Sequence, residues 1–282
     1  MPLARTSEVV AAAAKVRAAA FAFNVVNLEQ IEGVVAGAEA VGLPVIIQVS
    51  QNAVGFHDGR VGPLVSAATA AATASVVPVA LHLDHVEDLG LLYQAADAGF
   101  SSVMYDAARL PYEGNVAATR VAADWGHSVG LWVEAELGFV GGKPDAPQSA
   151  HAAGVRTDPM EAADFVRRTT VDALAVAVGS SHAMTTRTAT LDHELIQRLA
   201  AALNVPLVLH GSSGVPDEEL RHAIRAGIRK INVGTALGAA YTRAVRSELG
   251  ADPTIVDPRK YLKPARQAVA AVVQSLFSAV AE

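Results

Sequence analysis

The chain has 282 residues, 51% of them apolar and 18% charged, with a net charge of −6 and no cysteine. That length and apolar content suit one large domain over residues 1–282, and the acidic balance, with no Lys/Arg block, argues against a nucleic-acid partner. Disulfides and thiolate metal sites are excluded, so any metal must rest on His, Asp and Glu.

The expected elements begin with an N-terminal helix over residues 7–20. Arg5, Lys15 and Arg17 interrupt its alanines, so it lacks the pattern of a signal peptide. Short β-branched runs then alternate with longer alanine-rich amphipathic stretches. The spacing predicts strands at 22–25, 45–49, 79–83, 102–105, 131–136, 173–178, 207–210 and 230–233. It predicts helices at 28–41, 61–75, 86–98, 112–126, 159–168, 192–202, 216–226 and 235–249, with Asp192 as an N-cap and Pro159 and Pro216 in first turns. A last helix follows Pro258. Eight strand-then-helix units imply a parallel sheet closed into a single-domain α/β (β/α)8 TIM barrel with extra N- and C-terminal helices. An open doubly wound sheet would show a glycine-rich turn after its first strand, whereas Asn24-Val25-Val26-Asn27 stands there. The irregular stretch 138–158 exceeds ordinary loop length, which marks it as functional or mobile. No apolar run approaches the roughly 18 residues of a membrane helix. The expectation is a cytoplasmic protein with no membrane partner.

Polar residues gather at the ends of the predicted strands, where barrels place their chemistry: Asn24, Ser50, Asp84 with His85, Asp106, Glu134 with Glu136, His182, His210 and Asn232. A single buried histidine is ordinarily a core residue. Three at the ends of the third, sixth and seventh strands, in a cysteine-free chain, read as a zinc site of His85, His182 and His210 with an open position. His82 then reads as structural or as a support to that site, and His57, His127, His151, His193 and His222 as surface residues. The turns Gly211-Ser212-Ser213-Gly214 and Asn232-Val233-Gly234-Thr235 each run into a helix after the last two strands. Their backbone N–H groups suit a phosphate. Asp84 beside a metal ligand suits acid/base work. Glu134 and Glu136 are two apart and share a face, where a carboxylate needs a cation or a donor.

Five motifs, in order, resemble class II fructose- and tagatose-bisphosphate aldolases: Leu81-His82-Leu83-Asp84-His85, Val133-Glu134-Ala135-Glu136-Leu137-Gly138, Leu209-His210-Gly211-Ser212-Ser213-Gly214, Lys230-Ile231-Asn232-Val233 and Asp257-Pro258-Arg259-Lys260-Tyr261-Leu262. The resemblance runs from Phe23-Asn24 to the C-terminal helix. It implies cleavage of a ketose 1,6-bisphosphate to dihydroxyacetone phosphate and an aldehyde phosphate, with Zn2+ on the three histidines and Asp84 as acid/base. It also implies a second, alternative metal position at Asp106 and Glu136. A monovalent cation (Na+ or K+) would accompany the phosphate, Asn24 and Ser50 would line the aldehyde side, and Arg259 would reach the far phosphate from a neighbouring subunit of a homo-oligomer (dimer or tetramer).

Two departures qualify the resemblance. Ala183 follows His182 where the family commonly has Gly, which matters if that residue needs a positive φ. Pro144, in Gly141-Gly142-Lys143-Pro144-Asp145, stands where a proton-transferring glutamate is expected, so Asp145 substitutes or the substrate differs. Alternatives are a same-family aldolase for another phosphorylated ketose or keto-acid, a barrel metal-dependent hydrolase, and a non-enzymatic relative. A hydrolase would show a His-x-His pair on strand one, and the intact acid and phosphate positions oppose a non-enzymatic relative. Arg187 could touch an anion or serve the surface.

Overall fold

The structure, a computed structural model, describes residues 3–138, 140 and 156–281. Its strands are β1 (Leu3–Ala4), β2 (Ala20–Asn24), β3 (Val45–Ser50), β4 (Val79–Val86), β5 (Ser102–Tyr105), β6 (Trp132–Leu137), β7 (Ala173–Val176), β8 (Leu207–Leu209) and β9 (Ile228–Val233). Strands β2 to β9 pair in parallel in sequence order, and β9 pairs back to β2, so eight strands close a barrel as expected. The two-residue β1 lies beside Val79 and Ala80, below the point where β5 begins pairing at His82.

The helices are α1 (Thr6–Lys15), α2 (Leu28–Val41), α3 (Gln51–Phe56), α4 (Gly62–Ala74), α5 (Leu89–Leu92), α6 (Ala95–Ala98), α7 (Tyr112–Ser128), α8 (Pro159–Thr169), α9 (His193–Ala202), α10 (Asp217–Ala226), α11 (Thr235–Ala251) and α12 (Arg259–Val280). Asp158 and Asp192 accept backbone N–H bonds at the starts of α8 and α9, the caps their sequences offer. Two expectations need correction. The N-terminal helix stops at Lys15, and Ala20 already belongs to β2. The helix foreseen at 86–98 begins only at Leu89, because β4 runs on to Val86, and is two single turns parted at Tyr93 and Gln94.

Strand alternation sorts side chains between two compartments. Phe21, Phe23, Val45, Ile47, Leu81, Leu83, Val133 and Leu174 face outward into the main core beneath the helices. The alternate residues face the barrel axis. At its lower end Ala20, Ala22, Ile46 and Ala80 are small or aliphatic, and Val9 and Val10 of α1 close that end against them. Above this plug the inward positions turn polar, with Gln48, His82, Ser102, Glu134 and Lys230 all fully buried.

The C-terminal helix is held by close approach. A Cβ on Gly33 or Gly37 of α2 would lie 2.8 Å or less from atoms of α12, so α12 seats directly on the α2 backbone. Phe277 of α12 meets Phe21 edge-on at 5.0 Å. This packing places α12 over the β2 side of the barrel, away from the cleft at its upper end.

Candidate active site

The upper mouth opens into a cleft of about 550 Å³ lined by residues at or after the ends of seven strands, β2 to β5 and β7 to β9. Of the residues singled out in the sequence, Asn24, Ser50, Asp84, His85, Asp106, His182, Gly211, Ser212, Ser213, Asn232, Gly234 and Thr235 line it. His210 and Glu136 lie just beneath, wholly buried. Val233 turns its side chain into the outer core, leaving only its main chain near the cleft. Arg259 does not line the cleft of its own chain; its side chain is 88% exposed and pairs with Asp257 at 2.8 Å.

Asp84 and His85 both reach the mouth because β4 breaks its alternation there. The register against β5 shifts between Leu83 and Val86, and His85 takes a left-handed φ of 49°. Leu83 and Val86 both return to the outer core, so two consecutive residues are freed to face inward. Sequence alternation alone would put His82 and Asp84 on one face and His85 on the other.

One ligand atom each from His85, Glu136, His182 and His210 lies within 4.8 Å of the others. The three rings stand 4.9–5.8 Å apart, centroid to centroid. Two of the imidazoles are oriented by carboxylates: His85 Nδ1 donates to Asp106 Oδ2 at 2.8 Å, and His210 Nε2 donates to Glu134 Oε1 at 2.9 Å. Those bonds leave His85 Nε2 and His210 Nδ1 as the nitrogens for a metal, the usual arrangement of a ligated histidine. His210 Nδ1 also donates to Glu136 Oε2 at 2.7 Å, so that carboxylate stands at the same nitrogen. Burial lowers the His210 pKa, but the hydrogen bonds to Glu134 and Glu136 outweigh it and lift the ring to about 9. The position between these carboxylates therefore calls for a positive charge, and the donor set of three imidazoles and a carboxylate fits a zinc-like cation. Asp106 enters as the partner of His85 and stands outside the four-residue cluster.

Below the cluster lies a buried polar network. Lys230 Nζ donates to Gln48 Oε1, Glu134 Oε2 and Asn232 Oδ1, each at 2.8 Å. Burial would raise the Glu134 pKa, but the Lys230 ammonium and the His210 bond hold it well below the usual carboxylate range. Gln48 Nε2 donates to Asn24 Oδ1 at 3.0 Å, and Asn24 Nδ2 donates to Asp84 Oδ2 at 2.7 Å. Burial also pushes Asp84 up, yet His85 and His82 beside it bring its pKa down to about 2. His82 donates from Nδ1 to Ser102 Oγ at 2.7 Å, and Ser102 donates to Thr6 Oγ1 of α1 at 2.6 Å. Desolvation drops the His82 pKa to about 3, so this ring is neutral, with its Nε2 3.8 Å from Asp84 Oδ1.

The turn after β8 is shaped for close approach. Gly211 has a φ of 66°, and a Cβ there would meet the Ser181 backbone at 2.6–2.9 Å. Ser212 donates to the Asn232 carbonyl, and Ser213 Oγ accepts from Ala236 N at 3.1 Å, which ties the turn to the start of α11. Arg187 braces the same region, donating to the Val215 carbonyl and pairing with Asp217. These bonds fix it to the loop that leads into α10. Ala183 adopts a φ of 59°, so the position where glycine was expected does require a left-handed backbone.

Lys230, Gln48, Gln51, Asn52, Glu87, Arg109 and Ser181 were not foreseen as site residues. Lys230 carried the clearest signal, since a lysine two residues before Asn232 in an otherwise apolar strand must face the barrel axis. The loop residues carried none. The glycine-rich stretch around Pro144 lies outside the described residues.

The family described as class-II fructose-bisphosphate aldolase matches this chain over residues 4–282. A fructose-bisphosphate aldolase from Geobacillus stearothermophilus is 40% identical over 253 residues, covering 89% of this chain and 87% of that protein. One from Staphylococcus aureus is 37% identical over 277 residues, covering 97% and 96%. The crystal structure of the YdjI aldolase from Escherichia coli K12 superposes with a TM-score of 0.84 at 33% identity, covering 99% of this chain and 97% of that one. Among the described residues no helix is long and apolar enough to cross a membrane.

Proposed function

The chain belongs to the class II fructose-bisphosphate aldolase family and is an aldolase; from that premise we propose that it cleaves and forms a ketose 1,6-bisphosphate of the fructose or tagatose type. The products of cleavage are dihydroxyacetone phosphate and an aldehyde phosphate. The observation that carries this reading is the convergence of His85, Glu136, His182 and His210 within 4.8 Å, with Asp84 on the same cleft wall.

His85, His182 and His210 would hold zinc, with Glu136 and Asp106 serving an alternative position. A metal on these residues would supply a Lewis acid for the ketose carbonyl and for the charge left on the ketose half. Asp84 does the proton work. Held ionised by His85 first, with His210 and Lys230 below, it is in the form a base needs, and it takes the proton from the hydroxyl that becomes the aldehyde carbonyl. The carbon–carbon bond then breaks with its electron pair remaining on the three-carbon half, which takes up a proton before it leaves. Asn24 fixes the Asp84 carboxylate through one oxygen, while the other carries no protein hydrogen bond. Asn24 and Ser50 line the aldehyde side.

Backbone N–H groups of Gly211, Ser212, Ser213, Val233, Gly234 and Thr235 receive the phosphate of dihydroxyacetone phosphate, with Na+ or K+ beside it. The start of α11 at Thr235 adds its positive helix end. Arg259 serves the far phosphate of a neighbouring subunit in a dimer or tetramer, which accounts for its exposure here. Pro144 in the sequence favours a second reading, an aldolase of the same family for another phosphorylated ketose or a keto-acid.

A coupled assay for dihydroxyacetone phosphate, run on a panel of ketose phosphates with and without chelator, tests the reading. Release from a ketose 1,6-bisphosphate that stops on metal removal and returns with zinc is the expected result. No release from any ketose in the presence of zinc would overturn the substrate assignment, and activity surviving exhaustive chelation would overturn the metal's role.

A further inference from the structure

Outside the barrel mouth, α9 and α10 pack side by side and bring a second set of donors together. Glu219 and His222 stand three residues apart on α10, which stacks them on one face, one turn from each other. His193, the first residue of α9, meets them across the helix pair. Its Nε2 lies 3.0 Å from Glu219 Oε2, and its ring meets that of His222 edge to face, 5.3 Å between centroids. One ligand atom from each of the three lies within 4.8 Å of the others. The Nδ1 atom of His193 is buried and has no protein partner, so the surrounding chain does not complete this ring's bonding.

We propose that His193, Glu219 and His222 form a second, structural site for a divalent transition metal of the zinc class. Two imidazoles and one carboxylate are a zinc-type donor set, whereas calcium and magnesium prefer oxygen alone. Bonds of 2.0–2.2 Å in a tetrahedral site put neighbouring donors roughly 3.4 Å apart. The His193–Glu219 gap of 3.0 Å needs only a slight opening. His222, half-buried at the helix surface, closes by a side-chain rotation. The carboxylate is already oriented, because Leu191 N donates to the same Glu219 oxygen at 2.8 Å. The metal takes the place of the hydrogen bond between His193 and Glu219. The ion then ties α9 to α10, and with them the loop descending from His182 and the turn at Ser212–Gly214.

The test is a metal count on full-length protein stripped with chelator, saturated with zinc chloride and freed of excess by gel filtration. His222→Ala should retain one zinc fewer per chain than the wild type while releasing dihydroxyacetone phosphate at the wild-type rate. His182→Ala, altered at the mouth, should still lose one further ion when combined with it. The thermal shift given by the ion lost with His222 should vanish in the same variant. Should His222→Ala fail to fold, His222→Gln gives the same reading. An unchanged zinc count in a folded His222 variant would overturn the proposal and leave His193 and Glu219 as a hydrogen-bonded brace.

Discussion

Lys230 Nζ sits 2.8 Å from Glu134 Oε2 with both side chains fully buried, and the other two ammonium protons go to Gln48 and Asn232. Every donor of the lysine is therefore used, and Glu134 is left free to accept from His210 with its second oxygen. The pair is the counterweight that lets a histidine at the mouth keep one nitrogen bound and offer the other. Lys230→Met removes the cation but leaves the carboxylate, so it should destabilise the fold by about 3–5 kcal/mol. Denaturant unfolding of the variant measures this. Adding Glu134→Gln to Lys230→Met should recover part of the loss, because the stranded charge goes with it. A single variant as stable as the wild type would show that Lys230 is not needed to hold Glu134 ionised.

The barrel was legible because short β-branched runs alternate eight times with longer amphipathic stretches, and strand alternation then sorts the side chains. Phe21 and Phe23 face out while Ala20 and Ala22 face in, and the same rule carries Gln48, Glu134 and Lys230 to the axis. What could not be read were the places where the rule fails. The bulge at Asp84-His85 rests on one left-handed residue, and no glycine in Leu81-His82-Leu83-Asp84-His85-Val86 marks it. The later start of α5 follows from that longer strand. Arg109 and Glu87 were missed for another reason: loop side chains join a cleft through three-dimensional closure, which no period encodes.

Asp84 reaches the cleft with one oxygen bonded to Asn24 and the other without a protein hydrogen bond. Asp84→Asn keeps the shape but removes the base. Turnover of the ketose bisphosphate should fall by roughly 10²–10⁴-fold, with zinc content unchanged by metal analysis. A variant that lost its metal together with its activity would assign Asp84 to holding the site.

Ala183 lies on the cleft wall with a φ of 59°, a conformation that costs an alanine about 1 kcal/mol and a glycine almost nothing. Ala183→Gly should stabilise the protein by roughly 0.5–1 kcal/mol, part of the relief being offset by the freer unfolded chain. A β-branched residue should do the opposite, so Ala183→Val should lower Tm. Equal Tm values for the alanine, glycine and valine forms would show that the loop relaxes away from the left-handed region in solution.

Among the described residues lining the cleft, Arg109 is the one lysine or arginine, beside the acids Asp84, Glu87 and Asp106. It follows β5, and in the closed order β2 to β9 that strand lies across the barrel from β9, whose turn at Gly234-Thr235 bounds the opposite wall. A substrate anchored by one phosphate at β8 and β9 and extending across the mouth would bring its far end toward Arg109. The loose contact of Arg109 with Glu87, 3.7 Å between half-exposed groups, is easily exchanged for an anion. A charge-assisted bond of about 1.5–3 kcal/mol corresponds to roughly ten- to a hundredfold in binding. Arg109→Gln should therefore raise KM for a ketose 1,6-bisphosphate by that factor and leave KM for the matching ketose 1-phosphate unchanged. Steady-state kinetics on the two substrates, with Arg259→Gln run alongside, separates the two arginines. If Arg259→Gln alone discriminates between the substrates, the far phosphate belongs to Arg259; if both variants do, the two guanidinium groups share it.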